Sequence, residues 1–163
     1  MNNNVIIRDA NISDAQTILQ FITELAIYEK EPDAVKTDEQ AIIKTLFSEG
    51  ARAHSIICLE NDKPIGFAVY FYNYSTWLGK NGLYLEDLYV SPDSRGKGAG
   101  KLIMKHLANK AITNDCGRFE WVVLDWNKPA IDFYDSIGAK AQNEWIIYRL
   151  TGQQLHDFAN QAE

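Results

Sequence analysis

The spacing of apolar residues changes along this chain, and the changes outline its elements. Val5–Arg8 reads as a short strand. Ile18, Phe21, Ile22 and Leu25 then recur at i, i+3, i+4 and i+7, one face of a helix. Ser13, with Gln16 three residues on, predicts its capping box. Thr37 and Gln40 predict a second box opening a shorter helix with Ile42, Ile43, Leu46 and Phe47, and Tyr28–Asp33 between the two helices is a proline-stopped loop. Two strands follow, Ser55–Glu60 and Ile65–Tyr72, joined by a turn at Asn61–Pro64. Leu83–Val90 is apolar on both faces except at Glu86 and Asp87, the pattern of a central, doubly covered strand. Met104, Leu107, Ala108 and Ala111 return to helical spacing. Phe119–Leu124 reads as a strand, and Pro129–Ile137 as a helix begun by proline and ended by Gly138. Trp145–Leu150 is a last strand and Gln153–Gln161 a terminal helix. This order, β-α-α-β-β-β-α-β-α-β, predicts an α/β (α+β) fold with a mixed, mostly antiparallel central sheet and helices on both faces.

A length of 163 residues suits one domain spanning 1–163. No repeat, linker or low-complexity tract interrupts it. Hydrophobic residues make up 46% and charged residues 23%, a globular balance that excludes a disordered tail or a fibre. Cys58 and Cys116 are too few for a disulfide framework and suit a reducing compartment. The N-terminus shows no basic segment followed by an apolar one, so no signal peptide is expected, and the longest uncharged run, 64–79, is short for a membrane span. The net charge of −6 disfavours nucleic acid and suits a cationic partner. A cytoplasmic enzyme or binding domain is therefore expected. His54, His106 and His156 are scattered without ligand spacing, and no metal is implied.

The strongest chemical signal follows Val90. A turn at Ser91–Ser94 leads into Arg95-Gly96-Lys97-Gly98-Ala99-Gly100-Lys101, and a helix begins there. Three glycines at alternate positions leave main-chain N–H groups unshielded at the positive end of a helix, which makes an anion site for a phosphate or diphosphate. Arg95, Lys97 and Lys101 add charge. The segment is not a P-loop, because Gly98 follows the lysine where Ser or Thr is needed. It is not a Rossmann fingerprint either, because Lys101 holds the place of the third glycine.

Arg-x-x-Gly-x-Gly resembles the acetyl-coenzyme A loop of the GNAT superfamily of N-acetyltransferases. Further segments resemble its diamine acetyltransferases, the spermidine/spermine enzyme and the thialysine-acetylating group: Tyr74–Lys80, Leu83–Val90, Val123–Asn127 and Ala130–Tyr134. Tyr28-Glu29 and Trp145 also match, so the resemblance covers nearly the whole chain. It implies acetyl-CoA as co-substrate, a small amine as partner and a homodimer. It also implies a splayed pair of strands, Leu83–Val90 and Phe119–Leu124, around the pantetheine arm. Main-chain groups of Leu88, Tyr89 and Val90 would bond that arm and the thioester oxygen, an oxyanion-type contact. The diphosphate would lie on Arg95, Gly96, Lys97, Gly98, Ala99, Gly100 and Lys101, with Asn127 touching the cofactor or fixing its loop. Tyr134 would be the general acid near the sulfur. The alternative is a buried helix tyrosine packed beside Phe133, and the flanking Asn-x-x-Ala-x-x-Phe-Tyr pattern favours the catalytic reading.

An alkylamine arrives protonated, with a pKa near 10.4, and must lose a proton before it attacks a thioester. Glu86 is the candidate base, directly or through water, because a carboxylate in an apolar strand has its pKa raised. Tyr28, Glu29, Asp87 and Glu144 would add substrate contacts and negative charge for a second ammonium. Trp77 and Trp145 would cover the methylene chain or make cation–π contacts. The spermidine/spermine enzyme carries an acid shortly before the tryptophan where this chain has Ser75-Thr76-Trp77. That departure favours a short amine such as thialysine, a lysine-like compound or a diamine. The alternatives are a protein N-acetyltransferase of the same fold and a non-catalytic acyl-CoA sensor, which would need neither Glu86 nor Tyr134.

Overall fold

The computed structural model describes residues 4–161. The chain forms two compact units, Met1–Leu124 and Asp125–Glu163. The first unit holds β1 (Val5–Asp9), α1 (Ala15–Tyr28), α2 (Glu39–Leu46), β2 (Ala53–Glu60), β3 (Lys63–Ser75), β4 (Lys80–Val90), α3 (Ala99–Thr113) and β5 (Arg118–Glu120). The strands form one mixed sheet in the order β1-β2-β3-β4-β5. The first three pairings are antiparallel, and β5 joins β4 in parallel after the α3 crossover.

Helices cover both sheet faces. Ile18, Phe21 and Leu25 of α1 are buried with Ile57, Phe67 and Tyr89 of the sheet. The Phe21 ring lies 5.7 Å from both the Phe67 and the Tyr89 rings. Each such side chain contributes roughly 1.5–3 kcal/mol of burial. On the opposite face, Lys110 of α3 sits over the Tyr70 ring at 5.9 Å, and Ile103, Met104, Leu107 and Ala111 are buried.

The helix starts are shifted from those the sequence suggests. Asn11, not Ser13, is the cap: its side chain accepts from the Ser13 N–H, and the Asp14 carboxylate accepts from the Asn11 N–H at 2.8 Å, around a 3₁₀ turn over Ile12–Asp14. Asp14 is only 6% exposed and takes two bonds from the Arg8 guanidinium, at 2.7 and 2.9 Å. This ties β1 to the start of α1. Asp38, not Thr37, caps α2 by accepting from the Ala41 N–H at 2.8 Å.

Three strand assignments also change. β4 begins at Lys80, ahead of the expected Leu83, because β3 and β4 form one long hairpin reaching Ser75 and Lys80. The strand expected over Phe119–Leu124 is β5 at Arg118–Glu120 only. The second unit contains α4 (Lys128–Ser136) and α5 (Gly152–Ala159), and residues 145–150 form no strand. In α4, Asn127 is the cap, Pro129 occupies the first turn, and Gly138 follows with φ +87°. No described helix is long and apolar enough to cross a membrane. No group of three or more potential metal ligands occurs among the described residues.

Candidate active site

The site is organised by an irregularity in β4. Val69 pairs with Asp87 and Tyr70 with Leu85, so Glu86 is an extra residue on β4. Two residues facing one make a β-bulge, which bends the strand and re-aims its side chains. Leu85 lies opposite Tyr70 on the α3 face. Asp87 and Tyr89, opposite Val69 and Phe67, lie on the α1 face. On the other side of β4 the ladder with β5 spans three pairs, from Gly82–Arg118 to Tyr84–Glu120. It ends two residues before the bulge, so Leu85–Val90 runs on beyond the strand pairing that β5 supplies.

The expectation that burial acts on Glu86 is corrected. Glu86 is exposed at the bulge, and Asp87 is the half-buried carboxyl. Burial, reinforced by the charges of Glu86 and Glu29, pushes Asp87 up to about 6. Glu29, directly after α1, is also raised by burial. The structure thus brings Glu29, Glu86 and Asp87 together where the end of α1 meets β4, and it places Tyr28 in the adjoining cleft under Arg95. One-residue reading of an apolar strand could not tell which of two adjacent acids faces inward.

Past Val90, the Ser91 N–H reaches back to the Ile65 carbonyl at 2.8 Å, and a 3₁₀ turn over Pro92–Ser94 leads into the glycine loop. Gly96 and Gly98 have φ of +75° and +87°, the left-handed region that favours glycine. Gly98 starts α3 with no side-chain cap, and no acid lies in the first turn. The first N–H groups of α3 therefore face outward without a side-chain acceptor. A Cβ built on Gly96, Gly98 or Gly100 would meet no protein atom within 4 Å, so the cradle is open to a ligand. Lys97 reaches Glu60 at 4.0 Å, and Lys101 is exposed in the first turn of α3. These features fit a diphosphate bound by main-chain donors at a positive helix end.

Arg95 departs from a simple phosphate-facing role. Its Nε donates to the Val90 carbonyl at 2.8 Å, and its guanidinium lies over the rings of Tyr28 at 5.0 Å and Tyr89 at 5.4 Å. The Tyr89 hydroxyl donates to Glu24 at 2.6 Å. Burial and that bond push the Tyr89 phenol up to about 12. Glu24 was not among the residues the sequence singles out. Its place four residues before Tyr28, on one helix face, is the signal that could have found it.

Trp77 lies in the hairpin loop between β3 and β4, 87% exposed. That is more than 20 Å of strand from Asp87, at about 3.3 Å per residue, so the first unit does not bring the two together. In the second unit, Tyr134 sits on α4 with its ring 5.5 Å from that of Phe133. Asn127 caps the same helix by accepting from the Ala130 N–H. Glu144 and Trp145 follow α4 in irregular chain, where the Trp145 N–H donates to the Gln142 carbonyl at 3.1 Å.

Comparison with known proteins agrees with this geometry. The model of the acetyltransferase (GNAT) family matches residues 17–139. A thialysine N-epsilon-acetyltransferase of Sus scrofa is 39% identical over 166 residues, covering 95% of this chain and 97% of that protein. A spermidine/spermine N(1)-acetyltransferase-like protein 1 of Homo sapiens is 34% identical over 94% of this chain, which spans 23% of that longer protein. Among solved structures, an integron cassette protein from the mobile metagenome of V. cholerae is 34% identical, with a TM-score of 0.81 over 96% of this chain and 98% of its own. The chain belongs to the GNAT acetyltransferase family and is an acetyltransferase.

Proposed function

We propose that this enzyme moves the acetyl group of acetyl-CoA to a primary amine of a small substrate, a thialysine-like or lysine-like compound or a diamine, by direct attack on the thioester. One observation carries this reading. Within a single stretch, β4 outruns its ladder with β5, bends at Glu86, and passes through left-handed glycines into an uncapped helix start. Acetyl-CoA supplies an activated acetyl thioester. The N–H groups of Gly96–Lys101 hold its diphosphate, with charge from Lys97 and Lys101. Main-chain groups of Leu88, Tyr89 and Val90 bond the pantetheine arm and the carbonyl oxygen, whose developing charge aimed N–H donors stabilise.

The amine enters as an ammonium, and the carboxylates of Glu29, Glu86 and Asp87 attract it. The Glu86–Asp87 pair takes its proton, and Asp87, pushed up to about 6, is a stronger base than an ordinary carboxylate. The freed nitrogen lone pair forms the new C–N bond as the C–S bond breaks. Tyr134 is assigned as proton donor to the departing thiolate, and Asn127, Glu144 and Trp145 as cofactor or substrate contacts, on the family resemblance. The homodimer, and a single functional domain running through both units, are proposed on the same ground; the family match extends across both.

The test is released thiol, measured with acetyl-CoA against thialysine, lysine, putrescine and spermidine. Turnover of a short amine supports the assignment. No thiol release from any of them, with acetylation of a protein substrate instead, overturns it.

A further inference from the structure

Beside the acidic end of α1 lies a second feature that acetyl transfer to a simple amine does not use. It is a cleft of about 420 Å³ lined by Glu24, Ile27, Tyr28, Tyr89, Pro92 and Arg95. Its walls are largely apolar and aromatic, yet it carries one carboxylate and one guanidinium. The two do not pair: among the described residues neither Glu24 nor Arg95 takes part in an ion pair. Arg95 is exposed and held in place through Nε, by the Val90 carbonyl and by the two tyrosine rings beneath it. The guanidinium also touches the Tyr89 phenol, whose hydroxyl separates it from Glu24, and no acid pairs with the fork that matches a carboxylate. Glu24 is fixed from both sides, by the Tyr89 hydroxyl at 2.6 Å and by the Gln20 amide at 2.8 Å. A carboxylate has about four lone-pair sites, so two remain for a cation.

We propose that this cleft binds the α-amino-carboxylate head group of an amino-acid substrate, with Arg95 receiving the carboxylate and Glu24 the α-ammonium. The inference rests on the amine-acetylating reading given above and names the part of the substrate that does not react. Opposite charges held apart in one apolar cleft suit a zwitterion better than a diamine, whose far end would meet the guanidinium as a like charge. The spacing agrees. Asp87 and Tyr89 lie on the same face of β4, two residues apart, and two residues of strand advance about 7 Å. An extended lysine-type side chain spans that distance, so its head group would rest at Arg95 while its terminal ammonium reaches Asp87 and Glu29. Arg95 thereby becomes a specificity residue through its side chain, while its main chain remains part of the glycine loop.

The experiment compares three amines on the full chain at saturating acetyl-CoA: thialysine, its methyl ester, and the diamine left when its carboxyl group is removed. The wild type should prefer thialysine through KM. Replacing the carboxylate by the ester should lower kcat/KM about tenfold, the loss of one charge-assisted contact of at least about 1.5 kcal/mol. In Arg95→Met the ratio of kcat/KM between thialysine and the diamine should fall by a similar factor, and Arg95→Lys should restore part of it. An unchanged ratio in Arg95→Met, an ester as good as the free acid, or a penalty confined to the KM of acetyl-CoA overturns the inference while leaving the acetyltransferase reading intact. If the wild type acetylates none of the three, that broader reading fails first.

Discussion

Replacing Asp87 by Asn should make the protein more stable and less active, and the size of the gain follows from the site. Asp87 is half-buried between α1 and the sheet, beside two other acids. Folding moves its pKa from an ordinary 3.8 to about 6. At about 1.4 kcal/mol per pH unit, the ionised side chain costs the folded state about 3 kcal/mol. The sign is that of an acid raised on folding. Below about pH 4 both states are protonated and nothing is lost. Between 4 and 6 the unfolded chain gives up its proton first, so stability falls as pH rises. Above 6 the full cost is present. Asn keeps the shape without the charge, and the difference should plateau at about 2–3 kcal/mol at pH 7.5, because Glu29 and Glu86 share part of the repulsion. In a chain of this length, that is a rise in Tm of roughly 5–10 °C. Urea unfolding of both proteins at several pH values from 4.5 to 8, with acetyl transfer measured in parallel, gives both readouts. Two curves that stay parallel across that range, or an Asn variant less stable at pH 7.5, would refute the idea that an uncompensated charge is held there.

Four other outcomes follow from the same structure. Gly100→Ala places a methyl where no protein atom lies within 4 Å and favours the helix by up to about 1 kcal/mol; the KM for acetyl-CoA should rise about tenfold while Tm holds or climbs, and an unaltered KM removes the diphosphate from this loop. Tyr134→Phe should lower kcat with little change in the KM of acetyl-CoA, and an unchanged kcat in steady-state assays ends its role as acid. Asp14→Asn breaks a buried carboxylate that the Arg8 guanidinium holds below the usual range. With Arg8 still partly solvated, it should cost roughly 1.5 kcal/mol at pH 7 in chemical denaturation, a contribution that wild type itself loses as pH falls through the depressed pKa. Deleting Glu86 keeps the Asp87–Val69 and Tyr89–Phe67 pairs but removes the bulge, so a cooperative melt should persist while activity drops further than in Glu86→Ala; equal rates in the two variants would show that the bend is not needed.

Periodicity made the frame legible. The apolar face of α1, the β2–β3 hairpin and the glycine loop before α3 all follow from side-chain spacing, because spacing reports which face is buried. Caps were harder. Asn11 with Asp14 and Ser13 with Gln16 are both plausible boxes, and the choice was made by Arg8, a tertiary partner from β1 that no local pattern shows. The shortened β5 and the absence of a strand at 145–150 mark the same limit, since apolar runs state only that a segment prefers burial.

The two adjacent acids show why the site was only half legible. In a regular strand Glu86 would face Val69 and the α1 helix, and Asp87 would point to the opposite side. One inserted residue reverses this, because side-chain direction alternates with a period of two. The bulge therefore decides which carboxyl is desolvated. It also carries Tyr89 onto the α1 face, where its hydroxyl meets Glu24 and its ring supports Arg95. The half-buried acid, the aromatic platform of the neighbouring cleft and the bend that carries β4 away from its pairing with β5 thus share one cause. A sequence pattern records residue types in order, whereas this cause is a mismatch of register between two strands, visible only once both are paired.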